Sequence, residues 1–168
     1  ASDGADCFEG LSGVNKKTGM AKMANQAATT TGVSLKLLES SIFKPKIINK
    51  EYDLVLAARL TGLKRIDIFL EVINLVKRNF PSLKVALLGE GEEMENLKLL
   101  SKKLELDNCI DFLGFQINPE KFYQQSKIFV LTSATEGIST ASLEAMACGL
   151  PVVASNVGDM SEVVINDQ

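Results

Sequence analysis

Residues 53–58 read Asp-Leu-Val-Leu-Ala-Ala, a continuous apolar run behind a single carboxylate. It is too short for a helix and shows no polar–apolar alternation. A strand buried on both faces of a parallel sheet reads this way, because helices cover both of its sides. Downstream the pattern repeats. Ile66, Phe69, Leu70, Ile73 and Val76 recur at helical spacing until Pro81 closes the element. Val85–Leu88 is a second apolar strand, ended by Gly89-Glu90-Gly91, and residues 92–104 place Met94, Leu97, Leu100 and Leu104 on one helical face. Ile110–Leu113 is a third strand, followed by a short helix over 120–125 and a fourth strand at Ile128–Leu131. A helix runs from about Ser139 to Cys148 with Gly149 as its C′ residue. Residues 151–154 open a fifth strand, and a last helix runs from near Asp159 toward Val164.

Strands and helices alternating over short links define an α/β, doubly wound parallel sheet of the Rossmann-like kind. Such sheets bind ligands beyond the carboxyl ends of their strands, near the topological switch point. The loops after Ala58, Leu88, Leu113, Leu131 and Ala154 therefore carry the candidate chemistry. This domain is expected over 43–168. Residues 1–42, rich in Ala, Gly, Thr, Asn and Ser, read as a poorly structured or remnant segment with a short helix around Met20–Ala28. The chain starts without Met and stops at Gln168 soon after a helix has begun, so a C-terminal piece is expected to be missing.

Of the 168 residues 46% are hydrophobic and 23% charged, enough for one domain with a real core. The formal charge of −3 argues against a nucleic-acid partner, which needs a basic excess. Any anion site must be local, built from positioned cations and backbone amides. The three cysteines Cys7, Cys109 and Cys148 are far apart and unpaired by spacing, which suggests neither zinc nor a disulfide framework. Histidine is absent, removing the commonest general base. No apolar run approaches the roughly 18 residues of a membrane span, and no signal-peptide pattern opens the chain. A cytoplasmic setting is expected, with a peripheral place at the inner membrane surface open to a full-length protein.

Three segments carry chemistry. Arg59-Leu60-Thr61-Gly62-Leu63-Lys64 puts two cations beyond the first strand where a helix begins. A phosphate there would meet the helix amides, its dipole and both side chains. Taken alone, two cations at a strand end are ordinarily solvated surface. Gly89-Glu90-Gly91-Glu92-Glu93-Met94 resembles a dinucleotide loop, but Met94 replaces the third glycine and the carboxylates would repel a pyrophosphate. A simple turn into the helix explains it as well. In Thr135-Glu136-Gly137-Ile138-Ser139-Thr140, Gly137 allows close backbone approach and Ser139 or Thr140 can cap a helix whose first amides point outward. Glu144 falls in about the first turn of that helix, and a carboxylate so placed accepts well from a sugar or ribose diol. The plainer account is a helix start with acidic residues favoured by its dipole.

Glu136, seven intervening residues and Glu144, followed by Ala145-Met146-Ala147-Cys148-Gly149-Leu150-Pro151-Val152-Val153-Ala154-Ser155, resemble the E-x7-E block of the retaining GT-B glycosyltransferases of group 1, or family 4. The resemblance runs from about Phe43 to Val164 and includes Ala58-Arg59-Leu60 with Lys64, Leu88-Gly89-Glu90-Gly91, Phe112-Leu113-Gly114 and Val157-Gly158. It implies the C-terminal, donor-binding domain of such an enzyme.

By that resemblance, Arg59 and Lys64 would hold the diphosphate of a UDP- or GDP-type donor, and Glu144 would accept from its ribose hydroxyls. Glu136 would touch the transferred sugar. Gly137, Ile138 and Ser139 would offer amides, Gly89 and Gly91 would line the donor site, and Phe115 or Gln116 would meet the base. The reaction implied is hexosyl transfer to a glycan or lipid-linked acceptor with retention. Positive charge would substitute for a metal, so no metal and no cofactor beyond the nucleotide sugar are expected. Hydrolase carboxylates straddle the scissile bond, whereas these two read as orienting acceptors that leave the neighbouring anion site un-neutralised. The family's usual Gly stands as Ala58 here, Glu39-Ser40-Ser41 replaces an expected Asn-Gly segment, and the acceptor-binding N-terminal domain is not recognisable in 1–42. The isolated chain is thus expected to be inactive without that domain. Two other readings are an epimerase half of the same architecture, disfavoured by the missing acid–base groups, and a non-catalytic nucleotide-sugar-binding or partner module.

Overall fold

A computed structural model describes residues 42–164. The elements are β1 (Tyr52–Ala57), α1 (Ile66–Lys77), β2 (Val85–Leu88), α2 (Met94–Lys103), β3 (Ile110–Gly114), α3 (Pro119–Gln125), β4 (Ser126–Leu131), α4 (Thr140–Ala147), β5 (Val152–Ala154) and α5 (Met160–Val163). The five strands form one parallel sheet in the order β3-β2-β1-β4-β5. The chain winds outward from β1 to β3, then returns to β4 on the other side of β1. The switch point therefore lies between β1 and β4, as in doubly wound folds.

Alternation of side chains along each strand feeds two cores. Leu56, Val85 and Leu87 face Phe69, Leu70 and Ile73 of α1 and Leu97 of α2 on one side. Val55, Ala86, Leu88 and Phe129 face Tyr123 of α3, Ala145 of α4 and Met160 of α5 on the other. The apolar runs lack alternation because both of their faces are covered.

Boundaries differ from the sequence reading in instructive places. β4 begins at Ser126, ahead of the expected Ile128, because Ser126 is fully buried and its hydroxyl donates to the Phe122 carbonyl at 2.7 Å. A satisfied serine thus opens a strand that polarity had hidden. α2 starts at Met94 because residues 91–93 pack backbone-on-backbone against Leu60, the Glu93 amide donating to its carbonyl at 3.0 Å. Ser139 caps α4, accepting from the Ser142 amide at 3.3 Å, which places Glu144 in the second turn and not the first.

Gly149 follows α4 with φ +83°, the left-handed C′ geometry expected of it. Residues 42–50 run along α3. Gln124 Nε2 donates to the Lys44 carbonyl at 2.9 Å, and Lys50 Nζ to the Gln124 carbonyl at 2.7 Å. The expected helix at 20–28, and all of residues 1–41, lie outside the described residues.

Candidate functional site

At the end of β1, Leu60 is fully buried and pins the loop, while Arg59 is exposed. A 3-10 turn over Gly62–Lys64 follows, and Arg65, at φ 48°, separates it from α1. The cation expected at the mouth of a helix thus stands on a turn of its own.

That turn is tied to the loop after β4. The Ala134 amide donates to the Leu63 carbonyl at 2.8 Å, and Thr132 Oγ1 to the Lys64 carbonyl at 3.1 Å. Between them Lys64 Nζ meets Glu136 Oε2 at 2.5 Å, both side chains being mostly shielded from solvent at 23% and 14% exposure. Ser133 Oγ donates to the same carboxylate oxygen at 2.9 Å, and Ser155 Oγ braces Ser133 by donating to its carbonyl at 2.8 Å. The expectation that Glu136 would leave the cation site un-neutralised is therefore corrected. β1 and β4 are neighbours, so their loops meet, and opposite charges in a half-buried gap pair with little screening.

Gly137 beside this pair is exposed and has no atom near the place a Cβ would occupy. Gly158, at φ +55°, brings the loop after β5 against the Glu136 carbonyl so closely that a Cβ there would overlap it. The Ile138 side chain packs with Leu143, Met146 and Val163, and the Ser139 side chain is spent on the cap. Only the backbone of 137–139 remains for other contacts.

On the other side of Arg59 a cavity of about 410 Å³ opens over the ends of β1, β2 and β3. Arg59, Gly89, Phe115 and Gln116 line it together with Ala58, Glu90, Pro119 and Tyr123. Gln116 Nε2 donates to the Leu113 carbonyl at 2.6 Å, whereas the Phe115 ring is 69% exposed at the rim. Glu90 Oε1 accepts from the Phe115 amide at 3.3 Å, joining the loops after β2 and β3.

Gly89 and Gly91 let the loops pack on one another. The Ala58 amide donates to the Leu88 carbonyl at 3.1 Å and the Leu60 amide to Glu90 at 2.9 Å. A Cβ on Gly89 would fall on the Ala58 carbonyl, and one on Gly91 on the Leu60 backbone. The close approach they allow is to the chain itself. Gly89 still borders the cavity, but Gly91 does not.

Glu144 reaches the floor of the cavity through Tyr123, whose hydroxyl donates to its Oε2 at 3.2 Å. Burial pushes the Glu144 carboxyl above the ordinary 4.5, the Tyr123 hydrogen bond opposes that shift, and Glu120 adds to it. Burial and the neighbouring carboxylates raise the Tyr123 phenol far beyond its usual value, so it stays a donor. The sequence reading missed Tyr123 and Ser133. Tyr123 sits on a short amphipathic helix where an aromatic passes for core, and Ser133 is an unremarkable serine until the fold sets it under Glu136. Neither carries a signal in its own stretch of sequence, where other polar residues surround it.

The arrangement is an open, doubly wound α/β domain with its polar crevice at the switch point. Residues 39–168 match the family of Glycosyl transferases group 1, and the chain belongs to it. It is 35% identical over 114 residues to an uncharacterized glycosyltransferase of Haemophilus influenzae, covering 67% of this chain and 32% of that protein. Among solved structures, a mutant of S. aureus TarM in complex with Fondaparinux, alpha-GlcNAc-glycerol and UDP superposes with a TM-score of 0.68 and 26% identity. That match covers 76% of this chain and 26% of TarM. The C-terminal domain of the group 1 glycosyl transferase LpcC from Francisella tularensis shares the fold at a TM-score of 0.66 and 24% identity, over 74% of this chain and 73% of that one. The chain spans about a third of the Haemophilus protein's length and about a quarter of TarM's. Among the described residues no helix is long and apolar enough to cross a membrane.

Proposed function

We propose that the described residues form the donor-binding half of a retaining, nucleotide-sugar-dependent glycosyltransferase that passes a hexosyl group to a glycan or lipid-linked acceptor. One observation carries the reading. The Lys64–Glu136 pair stands at the switch point, with the unobstructed backbone of Gly137 on one side and the Arg59 cavity on the other. Base and ribose belong over Phe115, Gln116 and Glu144, the diphosphate between Arg59 and Lys64, and the sugar against Glu136 and the amides of 137–139.

As the glycosidic bond lengthens, negative charge grows on the departing nucleoside diphosphate. Arg59, Lys64 and the open amides at the start of α4 stabilise that charge without reorganising, which is where such groups accelerate most. Their fixed positive charge serves in place of a metal. Incoming phosphate oxygens compete with Glu136 for Lys64, and the released carboxylate turns to the sugar hydroxyls. The acceptor attacks from the leaving-group face, giving retention. The UDP and alpha-GlcNAc-glycerol bound to TarM support UDP as the first nucleotide to try. The other wall of the cleft, which receives the acceptor, belongs to an N-terminal domain preceding this one.

Calorimetric titration of the chain with UDP, GDP and ADP tests the reading. At least one binds in the millimolar range or tighter. Silence from all three would overturn it in favour of a module that keeps only the fold.

A further inference from the structure

Tyr123 is 1% exposed, yet its side chain reaches two places of consequence. The residue lines the cavity, and its hydroxyl reaches Glu144. The ring is held edge-on to Phe129, with centroids 5.8 Å apart at 79°, and lies 6.5 Å from the ring of Phe43. Buried against these rings, it is held by packing. Glu144, by contrast, projects from α4 on a flexible side chain. Left alone it would sample rotamers, and ligand binding would bear the entropy of freezing one of them.

We propose that Tyr123 is a positioning residue for Glu144. Its hydroxyl holds Oε2 so that Oε1 stays free to accept from a ribose diol, and this contact sets the preference of the site for ribonucleotides over 2′-deoxyribonucleotides. The inference rests on the donor-site reading above. It goes further by naming a residue on a different helix from the carboxylate it serves. A phenylalanine would fill the same space and floor the same cavity, so the hydroxyl has no packing role. Among the described residues its partner is Glu144, and a buried hydroxyl is retained where a partner uses it.

The test titrates the full chain and Tyr123→Phe with UDP and 2′-deoxy-UDP, and with the matched GDP and ADP pairs where these bind more tightly. The unsubstituted chain prefers the ribonucleotide by about tenfold or more, the scale of one charge-assisted hydrogen bond. In Tyr123→Phe the preference narrows to within about threefold, because ribonucleotide affinity falls by more than 2′-deoxynucleotide affinity, and Glu144→Gln narrows it likewise. A Tyr123→Phe chain that keeps the full preference overturns the proposal. So does one that loses both affinities equally, the signature of a merely loosened core.

A ligand-free measurement stands beside it. Carbon NMR titration of the Glu144 carboxyl, whose other titratable neighbours are Glu120 and Cys148, shows a higher pKa in Tyr123→Phe; an unchanged value overturns the contact. If no nucleoside diphosphate binds, the donor-site reading falls and this one with it. If nucleotide binds but the ribose preference ignores Tyr123, only this one falls.

Discussion

Lys64 Nζ and Glu136 Oε2 stand 2.5 Å apart although 72 residues separate them along the chain. The two loops that carry them follow adjacent strands, and the Ala134 amide on the Leu63 carbonyl and the Thr132 hydroxyl on the Lys64 carbonyl hold the loops in register. A cation and a carboxylate proposed for different parts of one ligand are thus each other's partners. Either must give up the other to take a new contact, and this coupling shapes the first two predictions.

Lys64→Ala weakens binding of a nucleoside diphosphate far more than of the nucleoside. One lost charge-assisted contact costs about 1.5–3 kcal/mol, offset in part by the pair that no longer has to be broken. Parallel calorimetric titrations of uridine and UDP measure the difference. Equal losses for both ligands would remove Lys64 from the phosphate role.

Glu136→Gln acts in the opposite sense on the bare nucleotide. Neutralising the carboxylate frees Lys64, so UDP affinity holds or rises, while the gain a UDP-sugar shows over UDP disappears. A Glu136→Gln chain that loses UDP and UDP-sugar binding together would contradict the competition.

Glu144 gives the molecule a pH dependence. Its carboxyl is raised above 4.5 chiefly by burial, with Glu120 adding and Tyr123 opposing, and Cys148 is the remaining titratable group of the cluster. In the window above 4.5 the folded state binds more protons than the unfolded state. The contribution of this group is full below that window and is lost as pH rises through the folded value. Glu144→Gln therefore raises thermal stability relative to the unsubstituted chain at pH 7, and the advantage shrinks toward pH 4. Melting curves at both pH values check this, and an advantage that grows on acidification would refute it.

Two glycines in neighbouring loops should behave oppositely. Gly158→Ala forces a Cβ into the Glu136 carbonyl at a left-handed φ, costing about 1–2 kcal/mol from the backbone alone and more from the collision. Gly137→Ala meets open space and leaves the melting temperature within a degree or two, on the order expected of a surface change. It reduces UDP-sugar affinity, because the methyl group stands where the sugar approaches. Thermal melts with titration of each variant separate the two effects.

The core offers a control away from the crevice. Phe69 is fully buried on α1, and Phe69→Ala should cost about 3–5 kcal/mol by transfer and cavity terms together. At a temperature where the variant remains folded its nucleotide affinity matches that of the unsubstituted chain, as calorimetry on a denaturation-checked sample would establish.

Most of the architecture was legible in the chain. The runs at 53–58 and 85–88 announce strands covered on both faces, and α1 and α4 carry the spacing and cap that helices need. Polar residues satisfied inside the fold were not legible. Ser126 opens β4 and Ser133 braces Glu136, each through a hydroxyl bond invisible to a hydrophobic pattern. Arg59, Gly89, Phe115 and Gln116, candidates in the sequence, line one cavity. Gly91, a candidate on the same grounds, lies against the Leu60 backbone, a contact only the fold reveals.

By itself the sequence determined the order of strands and helices, the loops that face the crevice, and the charge types those loops bring, because periodicity and turn chemistry are local properties. The pairings were decided by tertiary structure alone: Lys64 with Glu136, Tyr123 with Glu144, and Gly158 under the Glu136 carbonyl. They depend on β4 lying between β1 and β5 and on α3 lying beside α4. That adjacency comes from the winding of the whole sheet, and no window of neighbouring residues contains it.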